Sequence, residues 1–267
     1  MNKDTPVIIL CGGKGTRIAD VSGNTVPKPM VPIGGMPILW HIMKIYSNYG
    51  YKNFILALGH LGWEIKNYFL NYQYKSSDIQ INFSNNSGAE DIKIMSDQKD
   101  IDWNIILAET GQETQTGMRI ALCEKYVTTP YFMATYGDGV ADIDLDALVK
   151  YALEKDKIGT VTSVTPTSRF GNIDINDAGV VREFNEKQDA GGGTINGGYF
   201  VFKKEFMEVA KKYGNVMLER EPIEDIVNKN QLAAYSHSGF WEPMDTMREY
   251  NQLNKLWDNN KAPWKKW

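Results

Sequence analysis

Val7-Ile8-Ile9-Leu10-Cys11 runs straight into Gly12-Gly13-Lys14-Gly15-Thr16-Arg17. A continuous β-branched and aliphatic run, cut off by glycines, is the pattern of a strand buried on both faces of a parallel sheet. Downstream, Pro37 opens a stretch in which Ile38, Leu39, Ile42, Ile45, Tyr46 and Tyr49 recur at helical spacing, and Gly50 follows as a stop. Phe54-Ile55-Leu56-Ala57-Leu58 then reads as a second buried strand. Strand, helix and strand in this order make a βαβ unit, so the spacing predicts an α/β fold: a Rossmann-like, mostly parallel but mixed central sheet flanked by helices.

The alternation continues with a helix around Trp63 to Tyr74, a strand at Ile79 to Phe83, and another at Asn104 to Ala108. A helix from Gly117 to Tyr126 leads into the strand Tyr131 to Thr135. Leu145, Leu148, Val149 and Ala152 mark a further helix, and Thr160 to Thr165 is a β-branched strand. Beyond Pro166 short strands follow at Asn172 to Ile175, Val180 to Phe184 and Tyr199 to Phe202. A helix from Pro222 to Asn228, a strand at Leu232 to Tyr235 and a helix from Thr246 to Trp257 complete the reading. No repeat or linker interrupts it. The expectation is one domain over residues 1–267, with a C-terminal elaboration from about 166.

The 267 residues are 42% hydrophobic and 23% charged, with 24 glycines and 10 prolines, which excludes disorder and collagen-like repeats. Twenty-nine basic against 33 acidic residues leave a net charge of −4. Nucleic acid and membrane surfaces are therefore not expected partners, despite 7 Trp, 14 Tyr and 10 Phe. Cys11 and Cys123 match no disulfide or CxxC spacing, and the short apolar run at Val7 is neither a signal peptide nor a span. A cytoplasmic protein is expected. His41, His60 and His237 share no metal-ligand spacing and read as packing or surface residues.

Glycines directly after a buried strand let backbone N–H groups approach and point at phosphate oxygens, so Gly12, Gly13, Lys14, Gly15 and Thr16 read as a phosphate cradle. The plainer alternative is a tight turn with nothing bound. A P-loop is excluded because no GK[ST] closes the motif, and Ile18 weakens a dinucleotide fingerprint. No GxSxG elbow occurs.

Gly12 to Ile18, followed by Pro27-Lys28-Pro29-Met30, resembles the GGxGTRL and PKPM signature of the sugar-phosphate nucleotidyltransferases. The likeness extends through Pro37 to Lys44, Tyr136 to Asp142, Arg169-Phe170-Gly171, Ile195 to Gly198, Gly239-Phe240-Trp241, Pro243 to Thr246 and Lys261 to Lys265. Among that family the chain is similar to the glucose-1-phosphate cytidylyltransferase subgroup. The resemblance implies that CTP and a sugar 1-phosphate give a CDP-sugar and pyrophosphate, with Mg²⁺ as cofactor and a homo-oligomer as the working form.

In-line attack on an α-phosphorus with loss of pyrophosphate needs cations and oriented donors. The backbone of Gly12 to Thr16 with Arg17 suits the β- and γ-phosphates, and Lys28, set between two prolines, suits the α-phosphate. The resemblance further implies Asp138 and Asp245 as the Mg²⁺ pair. It places Thr110 and Arg119 at the nucleotide, and Arg169, Gly171, Glu186, Lys187, Asn196, Gly197 and Trp241 on the sugar-phosphate side. Asp142 and Asp144 are nearby rivals, one of them suited to a helix N-cap. Two positions depart from the family pattern, Met118 for glycine and Gln188 for proline. They motivate a different acceptor phosphate as one alternative. A non-catalytic nucleotide-sugar binder is the other, opposed by the joint presence of Arg17, Lys28, Asp138, Lys187 and Asp245. The tail residues Trp257, Trp264 and Trp267 are expected to meet a neighbouring subunit.

Overall fold

The computed structural model describes residues 1–15, 25–83, 91–95, 101–166, 172–175, 180–185 and 193–267. Its strands are, in chain order, β1 (Val7–Leu10), β2 (Pro32–Ile33), β3 (Met36–Pro37), β4 (Asn53–Leu58), β5 (Ile79–Asn82), β6 (Asp91–Ile94), β7 (Asn104–Glu109) and β8 (Tyr131–Tyr136). They continue as β9 (Gly139–Ala141), β10 (Gly159–Val164), β11 (Asn172–Ile175), β12 (Val181–Asn185), β13 (Ile195–Lys203), β14 (Leu232–His237) and β15 (Trp241–Pro243). Seven of them form one sheet in the order β14-β10-β13-β8-β1-β4-β7.

β1 is parallel to both its neighbours: Val7 stands opposite Phe54 on β4 and Met133 on β8. Because strand side chains alternate, its residues divide between the two faces. Val7 and Ile9 join a core with Leu56, Met133 and the helix Ile38–Asn48, while Ile8 and Leu10 join one with Ile55, Phe132 and the helices Thr116–Leu122 and Phe206–Lys212. Helices on both sides explain why the run contains no polar residue; each fully buried Ile or Leu contributes roughly 1.5–3 kcal/mol. β13 runs antiparallel to β8 and to β10, so the sheet is mixed where the short-strand pattern begins.

The chain passes from β1 outward to β4 and β7, then returns to β8 on β1's other side. The carboxyl ends of β1 and β8 therefore flank the point where strand order reverses, the place at which open α/β sheets bind ligands. Here the glycine run after Leu10 meets Gly137-Asp138.

Several elements differ from expectation. The Trp63 to Tyr74 stretch is two helices, Gly62–Leu70 and Tyr72–Ser76. β5 leaves the main sheet and pairs with β6, whose charged sequence gave no strand signal. The helix Phe206–Lys212 went unforeseen, being too short for a clear period. The tail rings pack within their own chain, Trp264 fully and Trp257 and Trp267 in part. Trp264 is buried within its own chain, where its Nε1 donates to His41 Nδ1 at 3.4 Å, and Trp257 packs edge-on to the same imidazole at 4.6 Å between centroids. Trp267 closes on Trp40 at 5.9 Å. Cys11 and Cys123 are separate buried thiols, and no described helix is long and apolar enough to cross a membrane.

Candidate active site

A cavity of about 620 Å³ opens at the carboxyl ends of β1 and β8. Gly12, Gly13, Lys14 and Gly15 form one wall, Gln112 to Thr116 with Arg119 another, and Lys28, Asp138 and Asp245 gather at one side with Tyr136 and Glu219 nearby. The two walls are joined by an ion pair between Lys14 and Glu113 at 3.0 Å.

Three segments distant in sequence converge on one ammonium group. Lys28 opens a single 3-10 turn, Lys28–Met30, whose Pro29 is buried against the end of β8. There Gly137 has no room for a side chain: a Cβ would come within 2.9 Å of Pro29 and 3.0 Å of the Leu10 carbonyl. Asp138 follows. β9 next pairs antiparallel with β15, Gly139 opposite Pro243, and Met244 N–H donates to the Asp138 carbonyl at 2.8 Å. This ribbon carries Asp245 to the side of Asp138. Asp245 is fixed in turn by Glu249, whose carboxylate accepts from the N–H of Asp245 at 2.7 Å and of Thr246 at 3.0 Å in a capping box that starts the helix Met247–Asp258.

Lys28 Nζ lies 2.6 Å from Asp138 Oδ2 and also donates to Asp245 Oδ1. Burial opposes the charge on Lys28, yet the two carboxylates outweigh it and hold the ammonium above its ordinary pKa. Two converging carboxylates beside an open cavity are a hard-oxygen donor set of the kind that holds Mg²⁺ together with ligand oxygens and water. Among the described residues there is no cluster of three or more His, Cys, Asp or Glu that could hold a metal by itself.

Other expected residues are placed less directly. Thr110 is buried, and its hydroxyl donates to the Leu58 carbonyl at 2.6 Å, so it faces the sheet and not the cavity. Arg119 borders the cavity but directs its guanidinium to carbonyls of the surrounding loops. Met118 packs into the core beneath its helix and does not line the cavity. Asp144 is the N-cap of the helix Leu145–Lys155, accepting from Ala147 N–H at 2.9 Å, and Asp142 lies 3.1 Å from His237.

Of the residues expected at the sugar phosphate, Asn196 donates to the Tyr136 hydroxyl at 3.1 Å and Trp241 Nε1 to the Gly197 carbonyl at 2.7 Å; Asn196, Gly197 and Trp241 all lie outside the cavity lining. Thr16, Arg17, Arg169, Gly171, Glu186 and Lys187 lie outside the described residues. Sequence reasoning missed Gln112 to Gln115, Tyr136, Met217 and Glu219. The polar run after β7 could have been found from the rule that ligands sit at strand carboxyl ends. Glu219 sits in a remote loop and carries no local signal. Its carboxylate accepts from the Tyr136 hydroxyl and, at 3.2 Å, from Thr116. Burial first, then Glu219, pushes the Tyr136 phenol well up.

Comparison with known proteins places the chain in a family. The family model described as nucleotidyl transferase matches residues 6–258. The chain is 40% identical over 260 residues to a protein of Bacillus subtilis (strain 168) named probable glucose-1-phosphate cytidylyltransferase, covering 97% of this chain and 99% of that one. It is 41% identical over 262 residues to the glucose-1-phosphate cytidylyltransferase of Salmonella typhimurium, with 97% and 98% covered. Among solved structures, HddC from Yersinia pseudotuberculosis complexed with GMP-PN superposes with a TM-score of 0.65 at 22% identity, over 95% of this chain and 99% of that one, a likeness of fold. Matched along nearly its whole length, the chain belongs to the nucleotidyl transferase family, alongside the glucose-1-phosphate cytidylyltransferases.

Proposed function

We propose that the protein transfers a cytidylyl group from CTP to glucose 1-phosphate, giving CDP-glucose and pyrophosphate. The observation that carries the chemistry is the convergence of Lys28, Asp138 and Asp245 beside the glycine wall of the cavity. The choice of CTP and glucose 1-phosphate is supported by relatives of that name at 40–41% identity.

The backbone of Gly12 to Gly15, with Lys14 and with Arg17 from the adjoining segment, holds the β- and γ-phosphates. Lys28 turns from the carboxylates to the α-phosphate and stabilises the charge that builds there as the sugar phosphate attacks in line. Asp138 and Asp245 hold Mg²⁺, which when bound neutralises phosphate oxygens. Asn196, Gly197 and Trp241, joined by Arg169, Gly171, Glu186 and Lys187, receive the sugar phosphate. The protein contributes positioning and charge neutralisation, with no covalent intermediate on a side chain. A homo-oligomer is part of the same reading; light scattering that returned a 30.2 kDa monomer would remove it.

The deciding experiment is pyrophosphate release with Mg²⁺, crossing CTP, UTP, dTTP, ATP and GTP with a panel of sugar 1-phosphates. Turnover confined to CTP with glucose 1-phosphate is expected. Turnover with CTP on another acceptor alone would move the error to the sugar side, and no turnover with tight CTP binding would favour a binding protein.

A further inference from the structure

Of the acidic residues lining the cavity, Glu113 pairs with Lys14 at 3.0 Å, and Asp138 and Asp245 share Lys28. Glu219 is the exception: among the described residues no ion pair reaches it. Its carboxylate accepts instead from two neutral hydroxyls, Tyr136 on one oxygen and Thr116, at 3.2 Å, on the other. Both hydroxyls are committed to it. That of Tyr136 already accepts from Asn196 Nδ2 at 3.1 Å and that of Thr116 from Leu218 N–H at 2.7 Å, so each has its proton left for Glu219.

The segment that carries Glu219 is pinned as well. Leu218 is fully buried, and Gly117 N–H donates to the Val216 carbonyl at 3.1 Å. The Asn215 side chain accepts from Gln115 N–H at 2.7 Å and donates to the Glu113 carbonyl at 3.2 Å. A Cβ on Gly117 would stand 2.9 Å from the Val216 carbonyl, so the segments pack this closely only because position 117 is glycine. Just before the helix Glu221–Asn228, Glu219 is thus a preorganised acceptor, and the two hydroxyls use only part of the lone-pair capacity of a carboxylate.

A carboxylate has no proton to give, so it repels phosphate oxygens, and what it can accept is an O–H or N–H. In the reaction proposed above those groups are the hydroxyls of the two sugar rings and the amine of cytosine. Strand order separates them. The glycine wall follows β1, with the loops beyond β4 and β7 on one side of it, whereas Tyr136 ends β8 and Asn196 stands near the start of β13, on the other side. A nucleotide laid along the glycine wall and the Gln112 to Thr116 wall leaves the β8 side to the acceptor.

We infer that Glu219 determines acceptor specificity: its carboxylate accepts a hydroxyl of the acceptor's sugar ring, with Tyr136 and Thr116 holding it in place. This rests on the cytidylyl reading for the identity of the acceptor. The rival is a brace that only ties Tyr136 to the helix Thr116–Leu122.

The test measures kcat/KM for glucose 1-phosphate and a series of its monodeoxy analogues, at saturating CTP, in wild type, Glu219→Ala and Glu219→Gln. Wild type is expected to disfavour one analogue by about tenfold or more, the scale of a hydrogen bond to a charged group. In Glu219→Ala, glucose 1-phosphate should lose about that factor and the one analogue much less, so the preference for that hydroxyl collapses while preferences at the other hydroxyls survive. Glu219→Gln keeps the shape and one acceptor oxygen and should fall between. A brace would slow glucose 1-phosphate and every analogue alike; that result, or a wild type indifferent to every missing hydroxyl, overturns the inference. So does a lost preference confined to CTP over UTP, or over CTP analogues lacking a ribose hydroxyl, which would put the contact on the nucleotide. If wild type turns over no pair of substrates, the cytidylyl reading fails separately, and calorimetric binding of the same sugar phosphates decides. A penalty for one missing hydroxyl, present in wild type and absent in Glu219→Ala, then supports the role; equal penalties, or no binding by wild type, refute it. Should Glu219→Ala not fold, Glu219→Gln carries the test.

Discussion

Lys28 Nζ and Asp138 Oδ2 lie 2.6 Å apart although 110 positions separate the two residues in sequence, and the same ammonium also bonds Asp245. This lysine supplies the positive charge that balances the two carboxylates. Under the proposed function the same residue has two successive partners, the carboxylates and then the α-phosphate.

Replacement of Lys28 should accordingly affect catalysis and cation binding in opposite directions. Lys28→Ala is expected to lower kcat by about 10²–10³, the cost of one preorganised electrostatic stabiliser. Lys28→Met should bind Mn²⁺ more tightly than wild type without nucleotide, by about tenfold or more, because two carboxylates then face each other with no cation between them. Calorimetric titration with Mn²⁺ measures this; weaker binding in Lys28→Met would contradict it.

Glu249 holds Asp245 by accepting its N–H at 2.7 Å, and Glu249 is itself buried. Glu249→Ala should remove the capping box and free the segment before the helix. A stability loss of about 1–2 kcal/mol is expected, together with a higher Mg²⁺ concentration for half-maximal turnover. Glu249→Gln keeps an acceptor and should recover much of both. Urea unfolding and Mg²⁺ dependence of rate read the two effects separately.

Much of this scaffold was legible before any coordinates. Val7 to Leu10 could only be a doubly covered strand, since no polar residue interrupts it, and Pro37 marks its helix because a residue without N–H is tolerated where the first turn begins. The lysine and aspartates were legible as a set through resemblance, not spacing, because their proximity is made by the β9–β15 ribbon. At Thr110 and Arg119 residue type alone does not tell which group the side chain faces, and both donate to the Leu58 carbonyl. The tail ring Trp264 is open to a similar ambiguity. An apolar ring can be covered by a neighbour or by its own chain, and Trp264 finds His41 from 223 positions away.

Gly137 tests the packing that sets Lys28 beside Asp138. Its backbone needs no positive φ, so the effect of Gly137→Ala is one of space alone. The added methyl must displace Pro29 or the Leu10 carbonyl, which costs about 1–3 kcal/mol, the scale of overpacking. Because Pro29 adjoins Lys28, kcat should fall more than the stability loss alone explains. Thermal unfolding and initial rates on the folded fraction measure both, and a stable variant with unchanged kcat would show that this contact does not position the lysine.

His41 makes the pH dependence of stability predictable. Burial pulls its pKa down to about 4; the hydrogen bond to the Ile33 carbonyl opposes this and nearby Lys265 adds to it. The imidazole is neutral in the fold, with Nε2 2.9 Å from the Ile33 carbonyl and Nδ1 accepting from Trp264, so Nε2 carries the proton. In the unfolded chain the group titrates near about 6.5. Between these values the unfolded state binds the extra proton, so stability is fully present above about 6.5 and is lost as pH falls toward the folded value. From pH 7 to pH 5 the loss from this residue is about 2 kcal/mol. Urea unfolding at the two pH values should show a drop larger by about that amount in wild type than in His41→Asn, which keeps a polar group but does not titrate. Equal drops in the two proteins would assign the acid sensitivity to other groups and leave the buried imidazole without a part in it.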